Sequence, residues 1–171
     1  MATVMQTDRL LLREMEAPDA DFYFRLHSDP EVLRYLAGSP PASIEEQRAR
    51  IATHRQVYYA DRGFGLYAVT DRASGALLGR AGFLVWEFDG VTEIEVAYTI
   101  APEAWGKGYA TEAAGAVRDY GFHKLDKARL ISLIMPANAA SIRVVEKLGA
   151  RYERNVDVMG HDARMYVHLR D

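Results

Sequence analysis

The sequence has no cysteine among its 171 residues. This absence excludes disulfides, thiolate metal sites and a cysteine nucleophile, and it favours a cytoplasmic location. The five histidines do not have the spacing of metal ligands, so we interpret them as structural and expect no metal. They are His27, His54, His123, His161 and His168.

Long hydrophobic runs and long basic blocks are also missing. No stretch approaches the roughly 20 consecutive apolar residues of a membrane span, and residues 1–9 lack the basic and apolar regions of a secretory signal. The formal net charge is −3, so no basic patch for nucleic acid or an anionic membrane is expected. The expected partner is a small molecule or a polypeptide. The sequence leaves the oligomeric state open, including a homodimer.

The composition is that of one globular domain, with 49% hydrophobic and 26% charged residues, and the alternation of predicted strands and helices indicates the α/β class with a mixed sheet. No repeat or linker divides the chain, so we predict a single domain over residues 1–171. Strands are predicted over residues 7–13, 66–70, 77–86, 93–100, 129–135, 151–158 and 164–170. Helices are predicted over residues 18–28, 43–59, 109–124 and 138–149, with a shorter one around 32–36.

A glycine-rich turn, W-G-K-G-Y at residues 105–109, opens the third long helix. Because glycine has no Cβ, backbone N–H groups can approach an anion at the helix start, and a diphosphate is the natural guest. The glycines are equally compatible with a tight turn that binds nothing. No G-x-x-x-x-G-K-[ST] loop is present, and a dinucleotide fingerprint would require glycine or alanine where Thr111 stands. Glu112, early in this helix, is interpreted as interacting with the helix dipole.

Several motifs follow one another in order along the chain. They are Thr7-x-Arg9-Leu10-x-Leu12-Arg13, Glu95-x-x-Tyr98, the glycine-rich turn, and Asn138-x-x-Ser141 followed by Glu146-Lys147-Leu148-Gly149. Together they resemble the GNAT acetyltransferases. The opening motif is similar to the branch that includes the ribosomal-protein N-terminal acetyltransferases.

The resemblance implies a mixed, mostly antiparallel seven-stranded sheet flanked by about four helices. The sheet is expected to splay between its fourth and fifth strands, with acetyl-CoA in the gap. The resemblance also implies that the pyrophosphate binds to the amides of residues 105–111 and the pantetheine arm to the backbone of residues 98–100. The residues assigned to the cofactor in this way are Tyr98, Thr99, Ile100, Trp105, Gly106, Lys107, Gly108, Tyr109, Ala110, Thr111, Asn138 and Ser141.

The implied reaction needs a base, because an alkyl amine with a pKa of roughly 10 is protonated at neutral pH. Glu93 and Glu95 share one face of the predicted strand 93–100, so either carboxylate is able to face a cleft. Glu95 matches the position of the family's base. Glu93 and water are the alternatives.

The departing thiolate of coenzyme A needs a proton or a hydrogen bond. Many members of the family supply it from a tyrosine, but Val145 stands at that position here, and Trp105 stands where many members carry arginine or glutamine. Ser141 is the candidate that remains, and its alternative role is to cap its helix. With no cysteine and no G-x-S-x-G, transfer is expected to be direct within a ternary complex.

The amine acceptor is not identified by the sequence. A protein N-terminus, an antibiotic, a polyamine and a small metabolite all remain open. The resemblance implies that residues 18–60 wall the acceptor pocket, so some aromatic residues otherwise expected in the core are expected to line it. These are Phe22, Tyr23, Phe24, Tyr35, Tyr58, Tyr59 and Trp86. Two other functions remain: a non-catalytic acyl-CoA sensor, which needs no base, and a nucleotide-binding module.

Overall fold

The computed structural model describes residues 3–171, so the first two residues of the predicted domain lie outside the description. The strands are β1 (Thr3–Gln6), β2 (Leu10–Glu14), β3 (Leu66–Asp71), β4 (Leu77–Phe88), β5 (Val91–Ile100), β6 (Arg129–Ile134), β7 (Arg151–Val158) and β8 (His161–Leu169). The helices are α1 (Ala20–Leu26), α2 (Pro30–Leu33), α3 (Ile44–His54), α4 (Tyr109–His123) and α5 (Ala139–Lys147). Short 3₁₀ turns lie at Ala17–Asp19 and Pro102–Ala104, and a π-helical turn at Arg55–Ala60 extends α3.

The strands form one sheet in the order β1-β2-β3-β4-β5-β6-β8-β7. Neighbouring strands are antiparallel except β5 and β6, which run parallel and pair only where Glu95 faces Ile131. Beside this pair, Ser132 Oγ donates a hydrogen bond of 2.9 Å to the Val96 carbonyl. Beyond these contacts the two strands diverge. The mixed α/β fold and the splay between the predicted strands 93–100 and 129–135 are therefore confirmed.

The start of the chain differs from the prediction. Residues 7–13 were expected to form one strand, but Thr7 opens a turn between β1 and β2. Its Oγ1 accepts a hydrogen bond of 2.9 Å from the Leu10 N–H, and its own N–H donates to the Leu10 carbonyl over 2.9 Å. The threonine side chain therefore reverses the chain before the predicted strand is complete. Residues 3–6 supply the additional strand, which makes the sheet eight-stranded.

The helices begin where their capping residues predict. Asp29 Oδ1 accepts from the Glu31 N–H at 2.8 Å, and Ser43 Oγ accepts from the Glu46 N–H at 3.1 Å. Ser43 and Glu46 form a shifted capping box, because the Glu46 carboxylate accepts from the Ala42 N–H at 2.7 Å and not from the N–H of Ser43. Within residues 3–171, no helix is long and apolar enough to cross a membrane.

The helices cover the two faces of the sheet. On one face, α4 packs on a core that includes Phe83 and Val96. A Cβ at Gly121 would lie 2.7 Å from Leu130 Cδ1 and 3.0 Å from the Phe83 ring, so the absence of a side chain at this position lets α4 pack closely on the sheet. On the other face, α1 and α3 pack over a second core around Tyr23 and Ile51. The splay opens a passage between these two faces.

Three histidines are enclosed by the fold. His27 Nδ1 lies 3.1 Å from Gln47 Oε1, His54 Nε2 accepts from the Leu66 N–H at 2.8 Å, and His168 Nε2 lies 3.1 Å from Ser132 Oγ. Burial disfavours the charged imidazole, so it lowers the pKa of His27 to about 3 and those of His54 and His168 to about 4. These three side chains are neutral structural groups at neutral pH.

These histidines predict that the protein loses stability in mild acid. Their ordinary pKa of 6.5 applies to the unfolded chain, so between pH 6.5 and about 4 the unfolded state binds more protons than the folded state. Burial raises the pKa of Glu95 to about 7, which acts in the opposite direction, but three imidazoles outweigh one carboxyl. The melting temperature should therefore fall steadily from pH 6.5 to pH 4.

A pair of variants tests the origin of this loss. His168→Gln removes one buried imidazole and should flatten the dependence of melting temperature on pH. His123→Gln changes an exposed imidazole and should leave the slope as in the wild type. A melting temperature that stays constant between pH 6.5 and 4, or equal slopes in all three proteins, would contradict the assignment.

Candidate active site

The splay between β5 and β6 opens into a cavity of about 810 Å³. Its walls come from the C-terminal half of β5, the turn before α4, β6 and the start of α5. Every residue that the resemblance assigns to acetyl-CoA lines this cavity except Lys107. The carbonyl of Lys107 accepts a hydrogen bond of 2.9 Å from Arg9, so this residue belongs to the outer side of the turn.

The backbone of the turn before α4 has the features of an anion-binding site. Gly106 has φ +73° and Gly108 has φ +80°, the left-handed region that other residues enter at a cost. The first hydrogen bond of the helix runs from the Glu112 N–H to the Gly108 carbonyl at 3.1 Å. The N–H groups of residues 109–111 therefore have no acceptor within the helix. Trp105 Nε1 donates to the Ile100 carbonyl over 2.7 Å and fixes the turn to the end of β5. Free amides on a fixed turn at a helix start fit a diphosphate.

The turn is anchored from the outside by the start of the chain. Glu112 Oε1 accepts from Thr7 Oγ1 at 2.5 Å, and Glu112 Oε2 accepts from Arg9 Nε at 2.6 Å. The Arg9 guanidinium also lies 4.6 Å from the centre of the Tyr109 ring. Burial alone would raise the pKa of Glu112, but hydrogen bonds from Thr7 and Arg9 hold it below its usual value. Glu112 is thus the partner of the opening motif, a role that the sequence interpretation missed.

Glu95 lies on β5 where the cavity passes through the sheet, and it is only 7% exposed. Trp86 Nε1 donates a hydrogen bond of 2.6 Å to Glu95 Oε2. Burial raises the pKa of this carboxyl to about 7, although the bond from Trp86, the Leu133 amide and the charge of Arg80 each act to lower it. A carboxyl with this pKa exchanges a proton near neutral pH.

Glu93 does not reach the cavity. It is equally buried, at 7% exposure, but its carboxylate forms an ion pair of 2.8 Å with Arg129. Arg129 also pairs with Glu153 at 2.8 Å. Glu93 is therefore occupied by a structural network, and of the two candidate bases the structure brings only Glu95 to the cavity.

The start of α5 forms another wall. Asn138 caps this helix, because its Oδ1 accepts from the Ser141 N–H at 3.2 Å. The alternative interpretation of Ser141 as the cap is therefore wrong: Ser141 lies one turn inside, and its Oγ has no hydrogen-bond partner within residues 3–171. Tyr98 donates its hydroxyl proton to the Ser141 carbonyl over 3.0 Å. Val145 is fully buried beneath the helix and does not line the cavity.

The cavity also extends to the face of the sheet that α1–α3 cover. Of the aromatic residues considered for the acceptor pocket, Tyr35 and Trp86 line it. A second hollow of about 260 Å³ adjoins this end and shares Leu36, Leu66 and Arg80 with the main cavity. In the described part of the chain, no three histidine or acidic side chains are grouped so as to hold a metal ion.

Comparison with known proteins agrees with this geometry. Residues 9–151 match the family described as Acetyltransferase (GNAT) domain. The chain is 33% identical over 153 residues to the uncharacterized N-acetyltransferase YoaA of Bacillus subtilis (strain 168), which covers 90% of this chain and 85% of that protein.

Solved structures share the fold. The ribosomal-protein-S5-alanine acetyltransferase from Vibrio fischeri gives a TM-score of 0.81 at 16% identity and covers 100% of this chain and 98% of that one. The spermidine N-acetyltransferase from Vibrio cholerae, in complex with CoA and spermine, gives a TM-score of 0.79 at 22% identity and covers 95% and 96% of the two chains. The match over residues 9–151 and the identity to YoaA lead to one conclusion: the chain belongs to the GNAT acetyltransferases, a family of acyltransferases whose acetyl donor is acetyl-CoA.

Proposed function

We propose that this protein transfers an acetyl group from acetyl-CoA directly to a primary amine, either a protein N-terminal α-amine or the amine of a small molecule. The observation that carries the proposal is the placement of Glu95. A buried carboxyl with a pKa of about 7 lies in the same cavity as the anion-binding turn. A sensor domain that only binds acyl-CoA has no need for such a group.

The residues around the cavity fit the cofactor. The amides that follow Gly108 would hold the pyrophosphate, and the backbone of residues 98–100 at the splayed edge of β5 would pair with the pantetheine arm. When bound, acetyl-CoA supplies the thioester whose acetyl group is transferred. The Arg9 and Glu112 pair holds the turn in place without entering the cavity.

Glu95 acts as the general base in this proposal. The acceptor arrives as an ammonium ion, and the carboxylate of Glu95 accepts the proton that its nitrogen must lose before bonding to the acetyl carbon. A pKa of about 7 leaves an appreciable fraction of Glu95 ionised at neutral pH and still makes it a stronger base than an ordinary carboxylate. The hydrogen bond from Trp86 fixes its orientation.

Ser141 assists the leaving group. Its Oγ donates a hydrogen bond to the sulfur as the carbon–sulfur bond breaks, and the thiolate takes up the second proton that the nitrogen loses when the amide forms. Tyr98 is less suited to this role, because its hydroxyl proton already bonds to the Ser141 carbonyl. Burial also raises the pKa of Tyr98 above its ordinary value.

No nucleophile on the protein is required. Ser132 and His168 lie 3.1 Å apart in a way that superficially suggests an activated serine. However, Ser132 Oγ donates its proton to the Val96 carbonyl, so His168 donates to Ser132 and does not act as its base. With no cysteine in the chain, direct transfer in a ternary complex is the mechanism that the residues support.

The first prediction of this mechanism concerns Gly108. Replacing it with valine forces a branched residue into φ +80° beside the pyrophosphate site, so Gly108→Val should abolish coenzyme A binding measured by calorimetry. Gly75 is a matched control with φ +74° in the β3–β4 turn, and Gly75→Val should lose stability but bind normally. If folded Gly108→Val binds coenzyme A like the wild type, the phosphate site is elsewhere.

The second prediction concerns the base. Glu95→Gln should lower turnover by about 10²–10⁴-fold and leave the affinity for acetyl-CoA nearly unchanged. Glu93→Gln is the matched control, because Glu93 is equally buried on the same strand but is paired with Arg129. It should lower the melting temperature and keep the turnover. Full activity of Glu95→Gln at neutral pH would assign proton removal to water.

The third prediction separates catalysis from helix capping. Ser141→Ala should lower the single-turnover rate by about 10²-fold while the melting temperature stays unchanged, because the cap belongs to Asn138. Asn138→Ala should instead cost about 0.5–2 kcal/mol of stability. An unchanged transfer rate in Ser141→Ala would remove this residue from the mechanism.

A further inference from the structure

Arg80 is an unpaired cation inside the protein. It lies on β4 and lines both the main cavity and the adjoining hollow. Across residues 3–171, no hydrogen bond or ion pair engages its guanidinium. Arg50, which lines the same hollow, differs because it pairs with Glu46 at 2.6 Å and donates to the Ser39 carbonyl at 3.0 Å.

Among residues 3–171, no group around Arg80 forms an ion pair with it, although the charge of Glu95 acts on it. The titratable and charged groups near it are Tyr23 on α1, His27 directly after α1, Arg50 and His54 on α3, and Glu95 on β5. Burial lowers the pKa of Arg80 below its ordinary value, but an arginine side chain stays charged in proteins. Both imidazoles are neutral, and Glu95 forms no ion pair with Arg80. Arg80 is only partly exposed at the cavity wall, and a charge largely withdrawn from water without a partner is unfavourable, so the arrangement favours an anion from outside.

Arg80 and the proposed base lie on the same face of the sheet. In the β4–β5 register Arg80 is opposite Thr99, and Leu84 is opposite Glu95. Side chains alternate along a strand, so these four residues point to the face covered by α1–α3. Thr99 and Glu95 are four residues apart, about 13 Å at the rise of a β-strand. The two long side chains shorten this backbone separation, and the charges of Arg80 and Glu95 act on each other, so one small molecule can contact both groups.

The surface between these two groups is apolar. Leu36, Leu66 and Leu84 line the cavity and the hollow on either side of Arg80. An acceptor in this pocket would contact the base with its amine, the guanidinium with an anionic group, and the leucine side chains with its hydrocarbon part. A guanidinium presents paired N–H groups that match a carboxylate.

We infer that the acceptor is an amine that also carries a carboxylate and an apolar side chain, and that Arg80 binds the carboxylate while Glu95 receives the amine proton. The inference rests on the proposed function and narrows it to a substrate class. A polyamine has no group for Arg80 and adds positive charge beside it. Arg80 is in this way a specificity-determining residue.

The test compares acceptors that differ only in the carboxylate. The wild type is assayed with acetyl-CoA and leucine, leucinamide, spermidine or phosphoethanolamine, following thiol release and acetylated product. Leucine should exceed leucinamide by at least about tenfold in kcat/KM, with spermidine no better than leucinamide. Equal use of leucine and leucinamide, or a preference for spermidine, would overturn the inference. A preference for phosphoethanolamine would overturn the carboxylate assignment in favour of a phosphate.

Variants connect the preference to Arg80. Arg80→Gln should raise the KM for leucine at least about tenfold more than the KM for leucinamide, whereas Arg80→Lys should recover part of the loss. Arg50→Gln, which removes the paired arginine of the hollow, should keep the preference. Leucine binding to the coenzyme A complex, measured by calorimetry, should weaken only in the Arg80 variants. An equal loss with every acceptor would mean that Arg80 is only structural.

The outcomes separate this inference from the proposed function. If amines are acetylated without regard to the carboxylate, the substrate class is wrong and the acetyltransferase activity stands. If coenzyme A binds and only a peptide with a free N-terminus is acetylated, the substrate class is wrong and the proposed function stands; if neither the panel nor the peptide is acetylated, both are wrong. Should Arg80→Gln fail to fold, the comparison of leucine with leucinamide on the wild type still decides.

Discussion

The parallel contact between β5 and β6, limited to Glu95 opposite Ile131, is the constraint on which the site depends. Strands that stayed paired along their length would close the sheet and leave no passage between its faces. Divergence instead frees the edge of β5 and opens the cavity. The bond from Ser132 to Val96 keeps the strands joined beside that one pair, so the opening has a fixed position.

The two sides of this opening differ in their electrostatics. On the α4 side, glycine-bounded amides at a helix start favour an anion, and the Arg9 and Glu112 pair stabilises the turn from outside. On the side of α1–α3, burial raises the pKa of Glu95. Arg80, on the same side, has no ion-pair partner among residues 3–171. In the proposed reaction, the anionic cofactor would bind on the first side and the amine would lose its proton on the second.

Sequence reasoning succeeded where the chemistry is local to the chain. The glycine turn, the capping residues and the alternation that points Glu95 to the cavity each depend on residues close together in sequence. It failed where partners are distant: Thr7 and Arg9 meet Glu112 more than a hundred positions away, and this contact has no signature along the chain. Ser141 was open to interpretation as a cap because Asn138 and Ser141 both suit a helix start, and only the hydrogen bond distinguishes them. Arg80 was not predicted as a site residue, because an arginine in a strand is common. Only the structure shows that it has no ion-pair partner among residues 3–171.

The central claim is that the acetyl group passes directly from acetyl-CoA to an amine held in the splay. The most direct measurement is the fate of that group, followed by intact-protein mass spectrometry together with a thiol assay. With acetyl-CoA alone the protein should remain unmodified, and with an acceptor each thiol released should be matched by one acetylated amine. An acetylated protein that accumulates without acceptor and disappears when acceptor is added would contradict the account.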